Sequence, residues 1–385
     1  MITQRNQVSD MIHRAKSDYY HATIARAGKD SKRLFQTFRK LLNESKINPM
    51  PPSRTSSQNA NDFNHFFIEK IERLKARFTE NPDHSYLDAK HVNQSMTEFQ
   101  PISLEKAERL IRAAPSKTCA IDPIPTRVVK SVVPTLGPVI QKIINLSLEQ
   151  STVPSSFKTA IVKPLLKKPN LDPIHKNYRP VSNLAFVSKL IEQSVIDQLE
   201  QHFETNDLND EFQSAYRANH STETTLLHIT NEILLSMDNR RAVCMVMLDL
   251  SAAFDTLDHD IIIERLGNTQ GIGPRVTDWF DSYLRGRTQR VSVEDATSDH
   301  LYLLDGAVQG SKMGCRLYKK YVEPLGNMLM QSDCDYHGYA DDNTIWKPVD
   351  PKSPTVNAHT ICSEKTLNII KLYCSDFGST PTKPR

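Results

Sequence analysis

No stretch of the 385-residue sequence approaches the roughly 18 consecutive apolar residues of a membrane-spanning helix, so a membrane role is not expected. The N-terminus carries Arg5 with no apolar run behind it, which leaves no secretory signal and points to an intracellular protein, nucleus or cytoplasm unassigned. Cysteines are few and scattered. The six, Cys119, Cys244, Cys315, Cys334, Cys362 and Cys374, show no paired short spacings, which argues against a zinc site and against a disulfide framework. Net charge is also small, and a formal +3 cannot by itself diagnose a nucleic-acid partner. What is present is an ordinary globular composition, 38% hydrophobic and 24% charged, in a chain long enough to bury a substantial core and hold two or three compact units.

The distribution of charge says more than its sum. One locally basic stretch near the N-terminus holds Arg14, Lys16, Arg26, Lys29, Lys32, Arg33, Arg39 and Lys40, and a second holds Lys158, Lys163, Lys167, Lys168, Lys176 and Arg179. Solvated helix faces are the bland reading of both.

Apolar residues recur at helical spacing through Val8, Met11, Ile12, Ala15 and Tyr19, predicting a helix over 8–28, and again at Leu34, Phe38, Leu41 and Leu42. A Pro-, Ser- and Asn-rich stretch reads as a linker over 48–62, after which Phe63, Phe66, Phe67, Ile71, Leu74 and Phe78 restore a helical stripe. The chain thus divides into a basic helical segment (1–47), the linker, a helical extension leading into a mixed region (63–150), a main α+β region (151–346) and a tail (347–385). Within these, a long helix is expected over 128–148, a strand and turn over 159–166, and helices over 184–204 and 221–237. The run 242–248 is almost continuously apolar, which predicts a strand buried on both faces, ending in Asp249. Helices over 258–267 and 274–285, extended segments over 288–294 and 300–305, a glycine-punctuated turn over 306–314 and a hairpin about 340–343 complete the reading.

A carboxylate at the end of a buried apolar strand is costly unless a cation or hydrogen bonds compensate it, and Asp249 is such a residue. Asp341 and Asp342 lie at the tip of a hairpin whose flanks are apolar enough to pair beside that strand. If the three converge, they form a compact anionic site for hard divalent cations such as Mg²⁺. Two such ions roughly 4 Å apart can activate an attacking hydroxyl and stabilise a leaving pyrophosphate. Taken singly, an Asp-Asp pair is ordinary turn chemistry and a strand-end Asp is commonly a helix cap.

The combination carries a resemblance. Residues 339–342 spell YADD and residues 248–259 read LDLSAAFDTLDH, in the order and at a separation that resemble the palm signatures of reverse transcriptases from non-LTR (LINE-type) retrotransposons. KTCAIDPIPTRVVK (117–130), SSFKTAIVKPLLKKP (155–169), NYRPVSNLAFVSKLIE (177–192) and FQSAYRANHSTETTLL (212–227) are similar to successive blocks of the same polymerases, so the resemblance is nearly continuous over 100–346. It implies an α+β fold with the fingers and palm of a right-hand polymerase, preceded by a helical N-terminal segment. Asp249, Asp341 and Asp342 would be the catalytic triad holding two Mg²⁺, with Mn²⁺ as a substitute and Leu250 among the metal ligands. The implied partners are an RNA template, a DNA primer and dNTP. The resemblance also places Lys163 and Arg179 in fingers motifs facing the triphosphate or template. Phe254 would exclude a ribose 2′-hydroxyl, with a core phenylalanine as the bland alternative. Gln309 would contact the nascent base pair, with Gly310 allowing close backbone approach.

Two departures from the family stand out. Relatives typically read GVPQGSVLGPLLF where this chain has Val308, Lys312, Cys315 and Arg316 in place of proline, an aliphatic, proline and leucine; Lys319, Lys320 and Glu323 follow. Such charges are costly if buried unpaired. The family also continues into a helical thumb where residues 347–385 offer one helical pattern, about 362–372, and a polar tail, so the thumb is expected to be missing, as are an endonuclease and a zinc knuckle. A catalytically inactive relic that binds nucleic acid, or has no selected function, is the alternative reading.

Overall fold

The computed structural model describes residues 2–28, 34, 37, 49–52, 55–76, 92–249, 254–331 and 334–351. The second N-terminal amphipathic pattern, Leu250 and the pattern at 362–372 therefore lie largely or wholly outside the described residues. Contacts separate the chain into two units, Met1–Met50 and Pro51–Arg385. In the first, helix α1 (Ile2–Ala27) extends the helix expected over 8–28, and its predicted stripe is exposed at Val8, Met11, Ile12 and Tyr19.

The second unit begins with α2 (Ser56–Lys75), which starts inside the expected linker. A capping box overrides the composition there: Gln58 N–H donates to Thr55 Oγ1 (3.3 Å) and Thr55 N–H to Gln58 Oε1 (3.2 Å), satisfying two donors at the helix start. Next come α3 (Leu104–Ala113), α4 (Thr126–Ser131) and α5 (Val133–Glu149). The single helix expected over 128–148 is thus two, because Pro134 has no N–H to donate back and Val132 leaves helical geometry at φ −119°, ψ 34°.

Strands β1 (Thr159–Leu166) and β2 (Tyr178–Asn183) form an antiparallel ribbon, followed by α6 (Phe186–Thr205), α7 (Thr222–Asp238) and β3 (Ala242–Asp249). Then come α8 (His259–Gln270), α9 (Pro274–Leu284), β4 (Arg287–Val293), β5 (Ala296–Thr297), β6 (Leu301–Leu303), α10 (Lys312–Gln331), β7 (Asp335–Tyr339) and β8 (Asp342–Val349). One sheet has the order β2-β1-β4-β5 with β6 on β4, and β1 runs parallel to β4; the other has the order β3-β8-β7. None of the described helices is long and apolar enough to cross a membrane.

The main core joins α3, α5, α6, α8, α9 and α10 through fully buried side chains such as Ile111, Ile144, Leu266, Trp279 and Leu317. Trp279 stacks on Tyr283 at 5.4 Å and donates its indole N–H to Ser147 Oγ, the partner a buried indole needs. Leu248, Tyr336 and Ile345 present one face of the three-stranded sheet to this core.

Strand β3 is not buried on both faces as its apolar run suggested. It is the outer strand of its sheet, and Met245 and Met247 are 42% and 58% exposed while Leu248 alternates into the core. Of the charges on α10, Lys312, Arg316, Lys320 and Glu323 are placed outward or paired, whereas Lys319 is buried, and burial holds its amine below the ordinary value. Lys312 is exposed and reaches Gln193 Oε1, and Arg316 pairs with Glu200 across α6 at 3.1 Å. Buried Lys320 donates to the Leu208 carbonyl and to Glu323 and lies over the Phe203 ring, while Glu323 also accepts from Gln270. Hydrogen bonds thus compensate charges that would be costly alone.

Candidate active site

Asp249 closes β3, and its Cα is the register partner of Asp342, the first residue of β8. Asp342 also pairs with Tyr339, the last residue of β7, leaving Ala340 and Asp341 as a two-residue loop. The backbone therefore brings positions 249, 341 and 342 to one end of the three-stranded sheet. Asp341 is half-buried and Asp342 exposed.

That loop needs outside support, because Ala340 has φ +61°, a region that costs a residue with a Cβ about 1 kcal/mol or more. Gln213 supplies the support. Its buried carboxamide accepts from Ala340 N–H (2.9 Å) and donates to Ala340 C=O (3.3 Å), and the same Oε1 accepts from Ala215 N–H. The segment carrying Gln213 lies along the free edge of β7: Gly338 N–H donates to Phe212 C=O (2.8 Å), and Ser214 N–H to Gly338 C=O (3.0 Å). Ser214 Oγ and His337 Nε2 are 2.8 Å apart. Gly338 makes this approach possible, since a Cβ there would stand 2.7 Å from Gln213 Nε2 and 2.8 Å from Asn343 Oδ1.

Tyr216 follows, itself at φ +59°. Burial, the Cys315 thiol and the Asp341 carboxylate push its hydroxyl up from the ordinary phenol range. Sequence reading had assigned no role to Gln213, Tyr216 or Gly338. A glycine inside a strand, directly before the YADD motif, is the signal that could have pointed to a close backbone approach.

The remaining positions surround a second focus. Phe254 is half-buried, its ring 4.6 Å from that of Tyr318 on α10, and its carbonyl accepts from Ala307 N–H. This contact also fits the bland reading of a packing residue. Gly306, at φ +83°, sits so close to Asp255 that a Cβ would lie 2.7 Å from its carbonyl oxygen. Gly310, at φ +95°, approaches the Ser182 carbonyl of β2 in the same way, at 2.9 Å. Gln309 lines a cavity with Asp255, Lys167 and residues of α2. Lys163 and Arg179 are apart from that cavity. With Leu165 and Val181, their register partners, they occupy the exposed face of the β1–β2 ribbon, opposite Tyr178, Pro180 and Ser182.

Among the described side chains, which do not include that of Asp249, no group of three His, Cys, Asp or Glu is placed to hold a metal ion. The donors at the loop are nonetheless carboxylate oxygens, the ligands hard divalent cations take.

A strand-end carboxylate in register with a carboxylate pair at a hairpin tip, inside a mixed α/β fold, defines the class to which the chain's sequence also assigns it. Residues 166–372 match the family described as "Reverse transcriptase (RNA-dependent DNA polymerase)", and the chain belongs to that family. The match runs past Trp346, where the resemblance carried by the motifs ends.

The relatives to which the chain is similar carry the names of transposon polymerases. The chain is 27% identical over 262 residues to "Probable RNA-directed DNA polymerase from transposon X-element" of Drosophila melanogaster, covering 66% of the chain and 28% of the relative. It is 23% identical over 284 residues to "RNA-directed DNA polymerase from mobile element jockey" of Drosophila funebris, covering 71% and 31%. It is also 23% identical over 274 residues to "Probable RNA-directed DNA polymerase from transposon BS" of Drosophila melanogaster, covering 71% and 30%. The chain spans less than a third of the length of these relatives.

Proposed function

We propose that this chain carries the fingers and palm of an RNA-directed DNA polymerase, extending a DNA primer with dNTP along an RNA template. The three-stranded sheet serves as the palm, and the β1–β2 ribbon with its neighbouring helices as the fingers. The observation that supports this most strongly is the Asp249–Asp342 register beside Asp341, within the segment matching the family. Antiparallel register partners are close enough to share a ligand.

In this reading Asp249, Asp341 and Asp342 hold two Mg²⁺, or Mn²⁺ in their place, with the backbone of Leu250 as a further ligand. Bound there, the ions would ease deprotonation of the primer 3′-hydroxyl and offset the charge of the departing pyrophosphate. The protein's own groups position. Gln213 fixes the loop that presents Asp341 and Asp342. Lys163 and Arg179, exposed on one ribbon face, offer a point charge and a planar fork to phosphate oxygens of nucleotide or template. Phe254, held against Tyr318, offers a flat wall that favours a deoxyribose over a ribose. Gln309 and Gly310 contact the nascent base pair.

The test is primer extension on an RNA template with Mg²⁺ or Mn²⁺. Extension by the wild type that disappears in Asp341→Ala supports the reading. Extension that persists in Asp341→Ala contradicts it, and salt-dependent nucleic-acid binding without any wild-type extension makes the chain a binder without catalysis.

A further inference from the structure

The two edges of the three-stranded sheet differ. Along β7 the segment 212–214 is hydrogen-bonded to Gly338, whereas among the described residues nothing pairs with the outer edge of β3. An open strand edge is ordinarily guarded by a charge, a proline or a bulge. From Ala242 to Leu248 β3 has none of these: the run is uncharged and free of proline, and its register with β8 is unbroken. Such an edge is a template for another strand.

Apolar side chains accompany it. Met245 and Met247 are 42% and 58% exposed, on the face where Trp346, the register partner of Met245, and His337 lie against His228 of α7. Helix α7, which packs on β3, has its polarity misplaced. Its buried side holds Thr225, Ile229 and Ser236, while Leu226, Leu227, Leu234 and Met237, each more than half exposed, share another side at helical spacing. Single exposed apolar residues are ordinary, but a group of this size marks an interaction surface.

The ends of the strand select the occupant. Arg241, exposed and in no ion pair among the described residues, precedes β3, and Asp249 closes it. Two copies of β3 set antiparallel about Met245 bring position 241 of each opposite position 249 of the other, since 241 with 249, 243 with 247 and 245 with itself share one centre. Opposite charges then meet at both ends, and a shift of the register loses both pairs. The same pairing makes one continuous sheet that carries the methionines and α7 helices of both copies on one face. An unrelated peptide strand would cover the edge and leave the leucines of α7 in water. With the strand edge, these side chains supply much of the roughly 800 Å² per partner of a standard interface.

We infer that this chain self-associates: two copies pair antiparallel along the outer edges of β3, centred on Met245, with Arg241 of each copy opposite Asp249 of the other and the exposed side of α7 extending the contact. The inference does not rest on the polymerase reading, although it sets an arginine against a carboxylate which that reading gives to metal.

The test is sedimentation equilibrium of the full chain, with a dimer expected for the wild type. Met245→Lys is expected to weaken dimerisation on the order of a hundredfold and Leu227→Lys to weaken it as well, whereas Val139→Lys, at an exposed position of α5, leaves it unchanged. Oxidation reads the register. Met245→Cys should form a disulfide-linked dimer that the wild type does not, because antiparallel partners stand about 4.5–5.5 Å apart at Cα, within disulfide reach, and Val243→Cys should not. Arg241→Asp and Asp249→Arg should each weaken the dimer, and the combined variant should recover it. A wild type that is monomeric at every concentration, a dimer that survives Met245→Lys, Val243→Cys linking as readily as Met245→Cys, or no recovery in the combined variant overturns the inference. So does a monomer in which Met245→Cys links to Cys362 or Cys374 of its own chain, since its own C-terminal residues then cover the edge.

Discussion

A left-handed Ala340 in a two-residue loop persists only where its surroundings hold it, and Gln213 holds both its N–H and its C=O. Gln213→Ala would leave the Ala340 and Ala215 N–H groups without their acceptor in a buried setting. Each buried group left unsatisfied costs about 1–3 kcal/mol. The expected outcome is a loss of about 2 kcal/mol in denaturant unfolding, together with reduced primer extension. Gly338→Ala should reproduce both effects, because its Cβ enters the space of Gln213 Nε2. The double variant should cost less than the sum of the two, since both act on one contact. Additive losses would show that Gln213 and Gly338 do not act through the same loop.

At the scale of elements, Glu192 ties four together. From α6 it accepts from Tyr283 OH of α9 (2.9 Å) and from the Lys312 N–H that opens α10 (3.0 Å), with the buried Arg287 of β4 as its neighbouring charge. Burial pushes its carboxyl up, and Arg287 with these hydrogen bonds pulls the other way. Glu192→Ala leaves the Tyr283 hydroxyl and the Lys312 N–H without their acceptor and removes the opposite charge near Arg287; each buried group left unsatisfied costs about 1–3 kcal/mol, so a loss of about 3 kcal/mol is expected on unfolding. Adding Arg287→Met should recover part of it by removing the buried charge; no recovery would mean that the Arg287 charge does not contribute to the loss.

Elements of this kind were legible in the sequence to different depths. Strand β1 and the β7–β8 hairpin were readable because β-branched runs ended at turn residues, whereas positions 249, 341 and 342 stood out only in combination and through the resemblance they carry, each alone being ordinary cap or turn chemistry. The start of α2 was hidden by composition, although Thr55 and Gln58 carried the capping signal. Strand β3 was misjudged because an apolar run does not tell an outer strand from a central one. The Gln213 support was not readable, since it joins residues 127 positions apart.

For the whole molecule, the family match covers 166–372, and α2 lies before it yet packs firmly on the five-stranded sheet. The account rests on Asp249, Asp341 and Asp342 sharing bound metal at the end of the other sheet. The most direct test replaces Mg²⁺ with Fe²⁺ and maps where peroxide and ascorbate cut the backbone, which reports the metal's neighbours whether or not the protein polymerises. The expected result is cleavage beside both position 249 and positions 341–342, competed by Mg²⁺ and absent in Asp342→Ala. Cleavage at only one of these places, or an unchanged pattern in Asp342→Ala, would contradict the account.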